Sequence, residues 1–399
     1  MPGPFDGIRV VDMTTVFVGP YSSQLLGDMG AEVIKVEAPD GDLTRGSGPA
    51  FNQGMAASFL HLNRNKRAIA LNLKTDSGAE AFRALLRETD LFVHNMRPEP
   101  LERLGFSYER VHEINPNIIY CNIWGFGREG RYAGQAAYDD VIQGASGFVA
   151  LEGYGGKEAR YVPSLIADKT TGLFAAYAMA AALYHKLATG EGQEIEVPMF
   201  ESMVSFIFPE HLCGETFMPS IGPPGSIRHA KPMRWPYKTK DGHICALPGS
   251  DKHWRGFLQA IDREDLWENP ILKDRKARTA NIDAVNALIG ELMLERTTEE
   301  WTKLLAKAGV PCMPISTLEE VVADGHLADV GFWQEMDHPS EGRVRLMKPP
   351  YSLSKSPATI RRDPPRFGEH TCAILAEHGY DAQEIASLLA EGAALDDTG

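Results

Sequence analysis

The segment Ser164-Leu165-Ile166-Ala167-Asp168-Lys169-Thr170-Thr171-Gly172 opens an Ala-rich stretch that reads as a helix to about Ala188, with Gly190 as its C-terminal stop. A carboxylate at that point has two readings. As an N-cap, Asp168 accepts hydrogen bonds from the first N–H groups of the helix. As a nucleophile, it attacks a carbonyl carbon while the helix N-terminus stabilises the oxyanion. The pattern alone leaves both open. The basic run Arg64, Lys66, Arg67 and Lys74, with no acidic residue between Asn63 and Thr75, is equally divided. It is either a set of solvated charges flanking a strand or a phosphate-binding rim for a nucleotide-like ligand. A third string, Gly125-Phe126-Gly127-Arg128-Glu129-Gly130, matches G-x-G-x-x-G, but Tyr132-Ala133-Gly134 continues a loop where a dinucleotide site needs a helix to begin. The turn after the first strand carries only Gly19, so nicotinamide chemistry lacks support. Neither a G-x-S-x-G elbow nor a P-loop is present.

These residues need a scaffold, and the first 200 positions supply the pattern of one. Short β-branched runs at Ile8–Asp12, Glu32–Glu37, Ala68–Leu73, Leu91–His94, Ile118–Ile123 and Glu194–Val197 alternate with helical stretches such as Thr75–Glu88. That alternation predicts an α/β fold with a parallel sheet covered by helices. Prolines and glycines from Pro219 to Pro236 mark a linker. Residues 237–325 then read as a smaller α+β domain, with a hairpin over Tyr237–Leu247 turning at Asp241-Gly242 and helices near 250–261, 281–295 and 298–308. A second proline-rich linker spans 326–368, and helices at about 369–378 and 382–391 close the chain. The large domain is thus expected to hold 1–218 and the C-terminal 369–399.

Composition narrows the function. A hydrophobic fraction of 43% is that of a globular protein, and a formal net charge of −14 disfavours nonspecific adhesion to nucleic acid or an anionic membrane. An anionic ligand must then be met by a local basic cluster. The longest apolar run, Gly172 to Tyr184, is thirteen residues, short of the roughly 20 that span a bilayer. No secretion signal is visible at the N-terminus, so the expected location is cytoplasmic. Five scattered cysteines read as reduced, mostly buried thiols, and the dispersed histidines offer no metal-ligand spacing, so no metal is expected.

An ordered set of segments carries a more specific signal. Gly7 to Asp12 with Val16 to Pro20, Leu26 to Glu37, NRNKRAIALNLK (Asn63 to Lys74), VHNMRPEPLERLGF (Val93 to Phe106), YDDVIQGASG (Tyr138 to Gly147), the Asp168 segment and GEGQEIEVPM (Gly190 to Met199) follow one another along nearly the whole chain. Together they resemble the class III (CaiB/BaiF-type) coenzyme A transferases. The resemblance implies a Rossmann-like large domain, a small domain between two linkers, and an interlocked homodimer of ring-like subunits. It implies CoA transfer from an acyl-CoA to a small carboxylic acid through an aspartyl-CoA thioester, with coenzyme A as cosubstrate and no tightly bound cofactor. The family's catalytic aspartate falls on Asp168. Its CoA-contacting positions fall on Val16, Phe17, Val18, Leu71, Asn72, Leu73, Lys74, Asn95, Met96, Arg97, Arg103, Tyr138 and Asp139. By the same resemblance, small dicarboxylates are candidate acids and succinyl-CoA a candidate donor, with intramolecular CoA transfer between two carboxylates of one substrate as an alternative; the sequence alone does not select among them.

Two departures refine this. Formyl-CoA:oxalate transferases carry glutamine, arginine and lysine where this chain has Phe17, Ala38 and Ala136, and a run of consecutive glycines that is absent here. Formyl and oxalate substrates are therefore not expected. Alpha-methylacyl-CoA racemases, the alternative on this fold, place a histidine in a G-H-D motif where this chain reads Ala137-Tyr138-Asp139. Tyrosine, with a pKa near about 10, is a poor acid/base at neutral pH. A noncatalytic CoA-binding protein would have no need of the nucleophile that is present at Asp168.

Overall fold

Strands β1 (Arg9–Met13), β2 (Glu32–Glu37), β3 (Lys66–Leu71), β4 (Leu91–His94), β5 (Ile119–Trp124) and β6 (Glu194–Pro198) form one parallel sheet in the computed structural model, which describes residues 2–153, 158–226 and 235–396. A short C-terminal strand, β7 (Ala394–Leu395), adds antiparallel to β3, giving the order β7-β3-β2-β1-β4-β5-β6. The β7 strand has no counterpart in the sequence reading, because two residues carry no detectable alternation. The other six match it to within two residues at either end.

Parallel strands are covered on both faces, so their residues sort by alternation rather than into inside and outside. Val10, Val33, Leu91, Val93, Ile119 and Cys121 pack with Leu26, Ala175, Met179 and Leu183, residues of helices α1 (Val18–Asp28) and α4 (Ile166–Thr189). Their neighbours Val11, Ile34, Phe92 and Tyr120 point the other way, onto Phe82, Leu85 and Leu86 of helix α2 (Asp76–Arg87) and Ile374, Leu375 and Leu388 near the C-terminus. Thr75 caps α2 by accepting from Gly78 N–H, and Gly190 ends α4 in the left-handed region at φ 81°, as the pattern indicated.

The chain divides into two compact units, one of Met1–Gly147, Tyr161–Phe206 and Ala328–Gly399, the other of Phe148–Arg160 and Ile207–Leu327. In the second, Tyr237–Lys238, His243–Ala246 and Cys312–Pro314 form an antiparallel sheet. Helices Asp251–Ala260, Ile282–Met293 and Thr298–Lys307 pack Trp254, Phe257, Ile289, Met293, Trp301 and Leu305 into its core. A reciprocal capping box between Thr297 and Glu300 starts the third of these helices.

Three expectations are corrected. Only Cys121 among the five thiols is buried; Cys245 and Cys372 are exposed, and the other two are half-buried. Arg64, Lys66 and Arg67 are neither solvated nor a phosphate rim. They are buried against Asp28, Asp12 and the Glu32/Glu377 pair respectively, because they lie on or beside a strand enclosed on both faces. Asp168 is not an N-cap. Helix α4 begins at Ile166 behind Leu165, which offers no capping side chain, so Asp168 stands third in its first turn.

Candidate active site

The sheet order determines where a ligand binds. Leaving β7 aside, β3-β2-β1-β4-β5-β6 is the doubly wound arrangement that reverses direction between β1 and β4, and such sheets take ligands outside the carboxyl ends of the strands at that reversal. Val16, Phe17 and Val18 follow β1 there, and Asn95, Met96 and Arg97 follow β4. Two hydrogen bonds join the rims across the crevice: Thr15 N–H donates to Asn95 Oδ1 at 3.0 Å, and Asn95 Nδ2 donates to Thr15 O at 2.9 Å. Leu71 to Lys74 extend from the same edge at the end of β3. Helix α4 runs into β6, and a parallel strand must start at the opposite edge, so the N-terminus of α4 and Asp168 also lie on the carboxyl side.

Helices α1 and α4 meet closely at this end. A Cβ added to Gly172 would lie 2.8 Å from Val18 O and 3.0 Å from the Tyr21 ring, so only glycine admits the contact. Asp168 is one turn earlier on the same face of α4, which directs it toward the start of α1. Phe17, at the N-cap of α1, supplies no capping side chain, and the first N–H groups of a helix have no acceptor within it. Two helix N-termini thus converge on the space around Asp168, with donors suited to a developing oxyanion.

Asp168 itself is buried, and its backbone N–H donates to Asp139 Oδ2 at 2.9 Å. Burial raises its carboxyl to about 7, and the Asp139 charge adds to the rise against a smaller opposing effect of Lys169. Asp139 lies in helix α3 (Asp139–Ala145) and accepts from Gln143 Nε2 on its other oxygen. Gln143 in turn accepts from Val162 N–H at 3.0 Å and donates to Ser164 O at 3.2 Å. The segment that leads into α4 is therefore fastened to α3 through one carboxamide.

The remaining predicted residues separate by exposure. Lys74, Arg97, Arg103 and Tyr138 are exposed. Among the described residues the three cations form no ion pair, which leaves them available to an anionic ligand. Asn72 is half-buried; Leu73 and Met96 are half-buried against the core, and Leu71 is buried within it, so Leu71 has only backbone to offer a ligand. Asp139 is buried with both oxygens engaged. Missed in the sequence were Asp12, Lys35 and Asp42, which with the misread Lys66 are four fully buried charges behind the crevice. A signal existed: lysines inside the apolar strands EVIKVE and KRAIAL have no solvent face to point to.

The description "CoA-transferase family III" matches residues 5–371. The chain is 34% identical over 395 residues to the human protein named succinyl-CoA:glutarate CoA-transferase, covering 98% of this chain and 89% of that one. It is 32% identical over 384 residues to succinate–glutarate CoA-transferase of Agrobacterium fabrum, covering 94% and 95%. A crystal structure of a CaiB/BaiF family protein from Brucella suis superposes with a TM-score of 0.81 at 33% identity, over 95% of this chain and all of that one. A doubly wound sheet with a buried carboxyl at its binding edge and full-length likeness to these proteins identify the chain as a CoA transferase, a member of CoA-transferase family III.

Proposed function

We propose that Asp168 is the nucleophile that carries CoA between an acyl-CoA and a small dicarboxylic acid. A buried carboxyl with its pKa raised to about 7, standing at two helix N-termini, supports the reading best. Ionised Asp168 attacks the thioester carbonyl; the C–S bond breaks, giving a mixed anhydride and CoA thiolate. The thiolate attacks Cγ of Asp168, the donor acid leaves as carboxylate, and CoA remains as an aspartyl thioester. An acceptor carboxylate then attacks Cγ and releases the thiolate, which takes the acceptor's acyl carbon and restores Asp168. Thiolate leaves without protonation, so the scheme needs no general acid. Shielding of the anhydride from water is what the site must provide.

In this scheme Lys74, Arg97 and Arg103 meet the phosphates of CoA, and Tyr138 is a further CoA contact. The names of the glutarate-using relatives support succinyl-CoA as donor and a glutarate-like dicarboxylate as acceptor. The working form is a homodimer, read as interlocked. Its physical support is α4, where Leu173, Tyr177, Tyr184 and Leu187 expose a continuous apolar stripe at helical spacing that a second copy would cover.

Incubation of the enzyme with succinyl-CoA and a panel of mono- and dicarboxylic acids, read by mass spectrometry, tests the substrate class. The expected products are dicarboxylate CoA esters. Transfer to none of the panel, together with racemisation of a 2-methylacyl-CoA, would replace the reading with an isomerase.

A further inference from the structure

The turn between β1 and α1 is strained. Val16 has φ 70°, in the left-handed region that β-branched residues avoid. Such a conformation persists only where the surroundings impose it. Here every backbone polar group from Thr14 N to Val16 N is taken by a side chain. Thr14 N–H donates to Asp12 Oδ1 at 2.9 Å, and Thr14 O accepts from Lys35 Nζ at 3.0 Å. Thr15 N–H and O are both held by Asn95. Val16 N–H donates to Asp42 Oδ1 at 3.2 Å.

Those side chains are themselves fixed. Lys35 Nζ bridges Thr14 O to Asp42 Oδ2 at 2.8 Å, and Asp42 Oδ1 also accepts from Thr44 N–H and Oγ1. The Asp42 N–H donates to Glu37, whose carboxylate pairs with Arg45. Asp12 Oδ2 accepts from Ser23 Oγ at 2.6 Å and from Lys66 Nζ at 2.9 Å, and Lys66 also donates to Pro20 O inside α1. Asp12, Lys35, Asp42 and Lys66 all lie out of contact with water. Replacing such an ionic chain by packed apolar residues is often neutral or stabilising, so its stabilising effect is a weak account of its presence. Geometry is a better account, because the chain ends on a strained turn at the binding crevice.

We propose that Asp42, with Asn95 on the opposite rim, is a positioning residue of the acyl-CoA site: together they hold Val16 in its strained conformation, which sets where the start of α1 faces Asp168. Neither residue need touch the reacting atoms. Release of the clamp lets Val16 relax to negative φ, and Phe17, Val18 and the first N–H groups of α1 turn with it. The inference rests on the proposed CoA site at this crevice.

The test is a double-mutant cycle with Val16→Gly, since glycine adopts positive φ without a clamp. Affinity for free CoA by titration calorimetry, KM for acyl-CoA and kcat are measured for the parent, Asp42→Asn, Asn95→Ala, Val16→Gly and the two doubles. Each clamp variant is expected to lower kcat/KM roughly tenfold in the Val16 parent, and by less than about threefold in the Val16→Gly background. Equal losses in both backgrounds overturn the inference, leaving Asp42 a stabilising residue and Asn95 a direct ligand contact. Absence of loss in the Val16 parent overturns it as well. A parent enzyme that binds no CoA removes the site reading and the inference together, whereas binding without the cycle's coupling removes the inference alone. Should Asp42→Asn not fold, because Lys35 is left buried with a lost partner, the Asn95→Ala cycle decides by itself; Asn95 is partly exposed and pairs with no buried charge.

Discussion

The backbone N–H of Asp168 is bound by the carboxylate of Asp139 at 2.9 Å, so the residue that fixes the start of α4 is also the like charge that acts on the Asp168 carboxyl. Positioning and tuning are thereby coupled. With Asp168 raised to about 7 by burial and then by Asp139, kcat/KM should rise with pH through an acid limb near 7, because the proposed mechanism uses the ionised form as nucleophile. Asp139→Asn keeps an acceptor for the Asp168 N–H but removes the charge, so its limb should move to lower pH. A pH–rate profile of both enzymes checks this; a limb that stays in place assigns it to another group.

Asp168→Asn should retain the fold and lose several orders of magnitude in turnover, since an amide cannot form the anhydride. It should also be the more stable protein in alkali. The folded carboxyl pKa lies above its unfolded value near 3.8, so the stability it contributes is full below that value and is lost as pH rises through about 7. At pH 8 the wild type thus bears a buried charge that the variant lacks, a difference of up to about 4 kcal/mol, which should vanish near pH 4. Melting curves at the two pH values test the sign.

Trapping distinguishes a nucleophile from a bystander. With acyl-CoA and hydroxylamine, the peptide bearing Asp168 should become about 15 Da heavier as a hydroxamate. An enzyme that transfers CoA without this adduct would exclude the aspartyl intermediate.

Gly172→Ala sets helix propensity against contact. Alanine gains roughly 1 kcal/mol in a helix interior, but its Cβ would press on Val18 O at 2.8 Å, and overpacking of this kind costs about 1–3 kcal/mol. The expected result is a lower melting temperature and a fall in kcat/KM, as α1 and α4 are forced apart beside the site. Preserved activity with lowered stability would show that the contact serves packing alone.

Lys74→Ala and Arg103→Ala should each weaken CoA binding roughly tenfold, the scale of a charge-assisted phosphate contact. Unchanged affinity in both, by titration calorimetry, would remove them from the site. Sedimentation should give twice the subunit mass for the wild type, and Leu187→Glu, at a position 86% exposed in the single chain, should lower the melting temperature, because in an interlocked dimer loss of the interface coincides with unfolding.

The sequence by itself determined the alternating β and α elements, the left-handed stop at Gly190 and the family. Each rests on local chemistry: alternation of apolar residues, a glycine at positive φ, or an ordered run of motifs. Tertiary structure alone decided what the charges do. Arg64, Lys66 and Arg67 read as a surface patch because charge normally seeks water, yet Asp28, Asp12 and Glu377 lie 36, 54 and 310 positions away and meet them inside the fold. The clamp on Val16 is hidden for the same reason, since its members come from β1, β2, the turn after β2 and the end of β4. Asp168 moved from N-cap to first turn because Ile166 and Ala167 already sit in the helix, whose start is held by Asp139, 29 positions upstream of Asp168, and by Gln143 beside it. Local pattern records which residue types are present; partners distant in sequence decide whether a charge is solvated, structural or reactive.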